Sequence, residues 1–140
     1  MIRFTDEMRE AINNALRDQV PVIVAYVDPT GEPSISFRGT VQVHSDDQIA
    51  IWARNPEGGL PRAIQTNPKI ALLYANRPER KVWHFRGRAR VADDPEVKRL
   101  VYDRSPEVER NQDPERNGVA VIVDVDRVIQ RNEVIMQRDT

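Results

Sequence analysis

The chain has 140 residues, 39% of them hydrophobic and 31% charged, which fits a single domain spanning residues 1–140 with a core of its own. Its 21 basic and 22 acidic residues are interleaved without a long like-charge block, so no nucleic-acid partner is expected. The absence of cysteine and the presence of only two histidines exclude disulfides, thiolate metal centres, a cysteine nucleophile and a histidine-rich metal cage.

The first segment, FTDEMREAINNALRDQ, reads as a helix. Thr5 is its N-cap, and Asp6 and Glu7 lie in the first turn, where the dipole favours them. Phe4, Met8, Ala11, Ile12, Ala15 and Leu16 recur at helical spacing, and Pro21 ends the element. This N-terminus lacks the apolar run of a signal peptide. No later segment approaches the roughly 20 apolar residues that cross a bilayer, so a cytoplasmic protein without a membrane partner is expected.

Beyond Pro21 the pattern changes to strands. Residues 21–27 form the first, and DPTGEP (28–33) is a turn. SISFRGTVQVH (34–44) reads as one long strand, SDDQ (45–48) as a hairpin turn and IAIWAR (49–54) as a third strand. A glycine- and proline-rich loop leads to a short helix over 60–66, followed by a strand over 69–76, a turn over 77–80 and a fifth strand over 81–92. Gly87 within that strand signals a bulge or a close backbone approach. Residues 93–105 read as a helix capped by Asp94, with Pro95 at its first position. Residues 106–118 are polar and read as irregular and exposed, and 119–132 as the last strand. Six strands joined mostly by short turns, with helices inserted rather than alternating, predict a mainly antiparallel β-barrel with helices outside it. Glycines at 39 and 87 supply the bends that closure requires.

The stretch ARNPEGGLPRAIQTNP (53–68) carries the candidate site. A hairpin about SDDQ brings Arg38 and Gly39 near the end of the third strand, where Arg54 stands. Gly58 and Gly59 then lead to a helix whose free amides point the same way, with Arg62 in its first turn. Amides, dipole and guanidinium forks together suit an anion such as phosphate. Gly39 would let a ligand lie close to the backbone, and the Thr40 hydroxyl would reach a phosphate oxygen. The competing reading is an ordinary loop with solvated arginines. Whether Arg38 faces inward depends on Phe37, and the sequence leaves both orientations open. His44 reads as a solvated turn residue, and His84 alternates with Trp83, so one of the two faces the barrel interior. Asp93 and Asp94 serve a helix cap, and Asp124 and Asp126 a solvent face. No Ser-His-Asp set or carboxylate pair stands out, and no metal site is expected, so any catalysis would be carried by a cofactor.

The order GEPSISFRGTVQV, IAIWARN, LPRAIQTNPKIALLY, KVWHFRGRARV resembles the pyridoxamine 5′-phosphate oxidase-like family of flavin-binding split barrels, over roughly residues 20 to 130. The resemblance implies a six-stranded antiparallel split β-barrel. It also implies a homodimer with two cofactor sites at the subunit interface and a flavin-dependent oxidoreductase acting on a small molecule. FMN is the cofactor implied first, with the deazaflavin coenzyme or haem in relatives, so the alternatives are a deazaflavin-dependent reductase and a non-catalytic flavin- or haem-binding protein. Carried over by position, Arg38, Gly39 and Thr40 would follow the flavin ring and phosphate. Trp52, Ala53 and Arg54 would line the ribityl and phosphate side, Arg62 would hold the phosphate, and Trp83 would reach the flavin of the neighbouring subunit. Family oxidases carry a basic pair before the helix, where this chain has Gly59 and Leu60. They also carry an Arg-x-His motif in a C-terminal extension, whereas this chain ends at VIMQRDT. Oxidation of pyridoxamine phosphate itself is therefore not expected.

Overall fold

The computed structural model describes residues 1–139. Helix α1 (Asp6–Asn13) starts where expected, with the Thr5 hydroxyl accepting from the Met8 amide at 3.1 Å. It ends earlier than its apolar pattern suggests. The Asn14 side chain bonds back to the Glu10 carbonyl at 2.9 Å, and the chain turns through Gln19 at φ 61°. Met8, Ala11 and Ile12 form its buried face.

Eight antiparallel strands follow: β1 (Val22–Val27), β2 (Pro33–Arg38), β3 (Gln42–Val43), β4 (Gln48–Ala53), β5 (Lys69–Asn76), β6 (Lys81–Val91), β7 (Val119–Gln130) and β8 (Glu133–Gln137). Their order is β2-β1-β5-β6-β7-β4-β3, with β8 also on β7. The expected long second strand is divided in two. β2 pairs with β1, and β3 pairs with β4. Gly39–Val41 thus carry the chain from one edge of the sheet to the other, and the sheet curls into a split barrel. Thr40 fastens this crossing, because its hydroxyl donates to the Trp52 carbonyl at 2.9 Å and accepts from the Trp52 amide at 3.0 Å.

Alternation along the strands sorts the two faces. On β6, Trp83, Phe85 and Ala89 are buried while Val82, Arg86, Arg88 and Arg90 are exposed. The bulge expected at Gly87 is present. The register shifts between Arg86 and Gly87, and a β-carbon at 87 would run into the Asp124 carbonyl. β4 is buried on both faces, which explains its unbroken apolar run IAIWA. Ile49, Ile51 and Ala53 face the barrel core, and Ala50 and Trp52 join Ala120 and Ile122 against helix α3 (Pro95–Arg104) through Val101 and Tyr102. The Asp94 side chain caps α3 as expected, accepting from the Glu96 amide at 2.9 Å. Helix α2 (Gly59–Thr66) seats Leu60, Ala63 and Ile64 in the core.

Residues 106–118 are mostly exposed, as their polarity suggests, but they are not irregular throughout. They include helix α4 (Glu107–Arg110) and fold over Trp52. Asp113 is 6% exposed and accepts from the Trp52 indole at 3.0 Å and from the Asn117 and Gly118 amides at 2.9 Å each. Burial works to raise this carboxyl, but the two amides and the indole outweigh it and hold it below the usual carboxylate range.

Candidate functional site

The register Gln42↔Ala50 on the β3–β4 hairpin carries Arg38 round to the end of β4, as the sequence suggests. There a cleft of about 450 Å3 is lined by Arg38, Ala53, Arg54, Asn55, Gly58–Pro61 and Gln112. Phe37 points out to solvent at 68% exposure, so its neighbour Arg38 takes the inward side, shared with Val22 across the β1–β2 pair. The Nε of Arg38 is buried and has no hydrogen-bond partner among the described residues. Such a group costs about 1–3 kcal/mol when left unpaired, and here it borders a cleft whose lining contains no carboxylate.

The opposite wall is the start of α2. Gly58 provides no side-chain cap, so the amides of Gly59 and Leu60 have no intrahelical acceptor, while Pro61 has no N–H to offer. The Asn55 side chain accepts from the Glu57 amide at 3.0 Å and shapes the loop before them. A β-carbon on Gly59 would sit 2.5 Å from the Tyr26 hydroxyl, so the missing side chain lets Tyr26 lie against the helix start. Arg54 is held from outside by Gln112, whose Oε1 accepts from Nη1 at 2.9 Å. Gln112 and Tyr26 were not legible as site residues. Gln112 lies in a segment without periodicity, and Tyr26 reads only as a strand aromatic.

The other expected residues lie elsewhere. The single O–H donor of Thr40 is given to the Trp52 carbonyl, and its oxygen accepts from the Trp52 amide, which leaves no donor for a phosphate. The Trp52 ring faces α3, stacked edge-on to Tyr102 with centroids 5.1 Å apart. Gly39 admits Glu109 and Leu16 to the backbone and opens on a different cleft, that between α1 and α4. Trp83 is 2% exposed inside the barrel, stacked on Tyr74 at 5.6 Å, and its neighbour His84 takes the outer face. Arg62 is exposed one residue beyond the cleft lining.

That outer face is unusually apolar. Phe37, Ile23, Leu73, His84, Ile129 and Val134 lie opposite one another in one row across six strands. Ile35, Phe37 and Val134 are 74%, 68% and 49% exposed. Contiguous exposed apolar surface of this kind marks an interaction face. Burial first, and then the Arg86 charge, lower the proton affinity of His84 within that row.

The sequence profile of pyridoxamine 5′-phosphate oxidase matches residues 5–131. The chain belongs to the pyridoxamine 5′-phosphate oxidase family. Solved structures agree on the fold. HupZ of Group A Streptococcus is 20% identical, covers 94% of this chain and 96% of its own, and superposes with a TM-score of 0.74. A Clostridium acetobutylicum protein related to general stress protein 26, of the pyridoxinephosphate oxidase family, is 13% identical, covers 94% of each chain and gives 0.64. An FMN-binding protein of Syntrophomonas wolfei is 11% identical, covers 95% of this chain and 89% of its own, and gives 0.61. No curated protein sequence matches the chain. Membership of the pyridoxamine 5′-phosphate oxidase family agrees with the split barrel. No helix among the described residues is long and apolar enough to cross a membrane.

Proposed function

We propose that the protein is a homodimeric FMN-binding oxidoreductase whose cofactor phosphate sits in the cleft between Arg38, Arg54 and the start of α2. The observation that carries this reading is the buried, unpartnered Nε of Arg38 facing two uncapped amides. A dianionic phosphate would satisfy the guanidinium and both amides together. Arg62, on the following residue of α2, would add charge from the solvent side. Ala53 keeps the floor free of side-chain bulk, and Gln112 holds Arg54 in place. A cleft of about 450 Å3 suits the phosphate and ribityl chain, and the ring would extend toward the apolar outer face. A second copy docked on that face would close over it and exclude water, which is why a homodimer belongs to the proposal. Bound FMN would supply the redox chemistry, passing electrons from a reduced nicotinamide to a small-molecule acceptor. The similarity of the fold to an FMN-binding protein supports the choice of cofactor.

Titration of the purified protein with FMN, riboflavin and the deazaflavin coenzyme, followed by flavin fluorescence, tests the reading. FMN should bind saturably and riboflavin at least tenfold more weakly. Arg38→Met should weaken FMN by about tenfold or more, the loss of one bond to a charged group. Equal affinity for FMN and riboflavin would remove the phosphate from this cleft, and tight binding of the deazaflavin alone would replace FMN as the cofactor.

A further inference from the structure

At another place on the molecule two hairpin turns lie side by side. One is Arg77–Arg80, between β5 and β6, where the Arg80 amide donates to the Arg77 carbonyl at 3.0 Å. The other is Arg131–Asn132, between β7 and β8. Together they frame a depression of about 400 Å3 lined by Arg77, Arg80, Val82, Gln130 and Arg131. Among the described residues none of the three guanidiniums has a hydrogen-bond acceptor or an ion-pair partner. Glu79 and Glu133 are near in sequence, but neither lines the depression.

Exposed arginines on turns are ordinary. The backbone beneath these is not. Arg80 has φ 57° and Arg131 has φ 51°, in the left-handed region that side chains with a β-carbon enter at a cost. A turn closed like Arg77–Arg80 favours glycine at its last position, and a two-residue turn like Arg131–Asn132 favours asparagine or glycine at its first. Both turns instead carry arginine at the strained position, and both arginines reach the same depression. The chain's other left-handed arginine, Arg116 at φ 57°, has a packing reason. Its guanidinium lies 4.5 Å from the centre of the Tyr102 ring and pairs with Asp103 at 3.2 Å. Arg80 and Arg131 have no such reason within the chain. Local strain kept together with uncompensated charge points to a ligand that repays both.

We propose that this depression is a second anion site, distinct from the flavin phosphate cleft, and that it takes a ligand carrying adjacent phosphate groups. Three guanidiniums on two separate turns bring three positive charges, more than a single phosphate of at most two negative charges balances, whereas a condensed phosphate chain presents several oxyanions along its length. The Gln130 side chain, beside the cations, offers a further donor. Val82 gives one apolar edge, on which a non-phosphate portion of the ligand would rest.

Calorimetric titration of the wild-type protein with tripolyphosphate, orthophosphate and citrate at 0.15 M salt tests the proposal. Tripolyphosphate should bind saturably and at least tenfold more tightly than orthophosphate or citrate. Binding should persist in Arg38→Met, which alters the other cleft. The double substitution Arg80→Gly with Arg131→Gly should weaken tripolyphosphate by tenfold or more while leaving the thermal midpoint unchanged or higher. Arg77→Ala, at a position without positive φ, should weaken it several-fold and serves as the test if the double variant fails to fold. The proposal is overturned if tripolyphosphate does not bind saturably, if citrate binds equally well, if Arg38→Met abolishes binding, or if the arginine variants bind like the parent.

Discussion

Asp113 is the sharpest place to perturb the frame around the Arg38–Arg54 cleft. Asp113→Ala removes a carboxylate that is 6% exposed and serves three donors, the Trp52 indole and the Asn117 and Gly118 amides. Hydrogen bonds to a charged acceptor contribute about 1.5–3 kcal/mol each, and each buried donor left unpaired costs about 1–3 kcal/mol. The three share one acceptor and do not add, so the expected loss is about 3–5 kcal/mol. That is a large share of the roughly 5–15 kcal/mol typical of a domain. Asp113→Asn keeps the shape but turns one oxygen into an amide nitrogen facing an N–H, and should cost less, about 1–3 kcal/mol. The assay is urea unfolding at pH 7, repeated toward pH 3. The carboxyl is held below its ordinary range in the folded state. Its contribution is therefore complete above the unfolded carboxylate pKa and is lost as pH falls through the folded value. The parent should lose more stability on acidification than Asp113→Asn. A loss under about 1 kcal/mol for Asp113→Ala would refute the view that this network anchors residues 111–118 over Trp52.

Three further outcomes follow from geometry. Gly87→Ala should destabilise by about 1–3 kcal/mol in urea unfolding, because the new methyl meets the rigid Asp124 carbonyl; an unchanged midpoint would contradict the tight bulge. Burial first, and then neighbouring arginine charge, lower the proton affinity of both His44 and His84. Their contribution is full above the ordinary histidine pKa near 6.5 and is lost as pH falls through the folded values. Urea midpoints from pH 7.5 to 5 should thus fall less steeply in His44→Gln with His84→Gln, and identical slopes would count against it. Phe37→Asp, at a position 68% exposed, should leave the fold intact and convert a dimer to monomer in light scattering; a persistent dimer would move the interface off this face.

Much of the barrel was readable from pattern because its signals are local. Alternation set β6 and Gly87 its bulge, Thr5 and Asp94 marked two helix starts, and the glycine pair marked the entry to α2. The division of the second strand was not readable, because the break at Gly39–Val41 is short enough to pass for a bend within one strand, and the change of partner across it, from β1 to β4, is set by tertiary structure. β8 escaped notice because its turn is Arg131–Asn132 rather than a glycine turn. The approach of Arg38 to Arg54 was legible from the hairpin register. The roles of Thr40 and Trp52 were not, since a hydroxyl and an indole look alike as ligand groups and as structural ones until their partners are known. Asp113 looked solvated because its three donors come from β4 and from its own loop, a meeting that only tertiary structure arranges.

The crossing at Gly39–Val41 has a consequence for when the Arg38–Arg54 cleft comes into being. Arg38 belongs to the half of the sheet built on β1 and β5, whereas Arg54 follows β4, which zips to β7 across some 70 residues of chain, as in Ala50↔Ile122. Pairings that distant form late, after the entropy of a long loop has been overcome. The short β3–β4 hairpin alone can bring the two arginines near each other. The pairing of Arg38 with Val22 of β1 and the docking of α2 need both halves closed, so arginines and α2 amides face one another only in the closed barrel. A phosphate ligand that needs both would select the native state alone. At one hundred times its dissociation constant it would add about 2.7 kcal/mol to stability, drawn from its own binding to the closed barrel rather than from any new core contact.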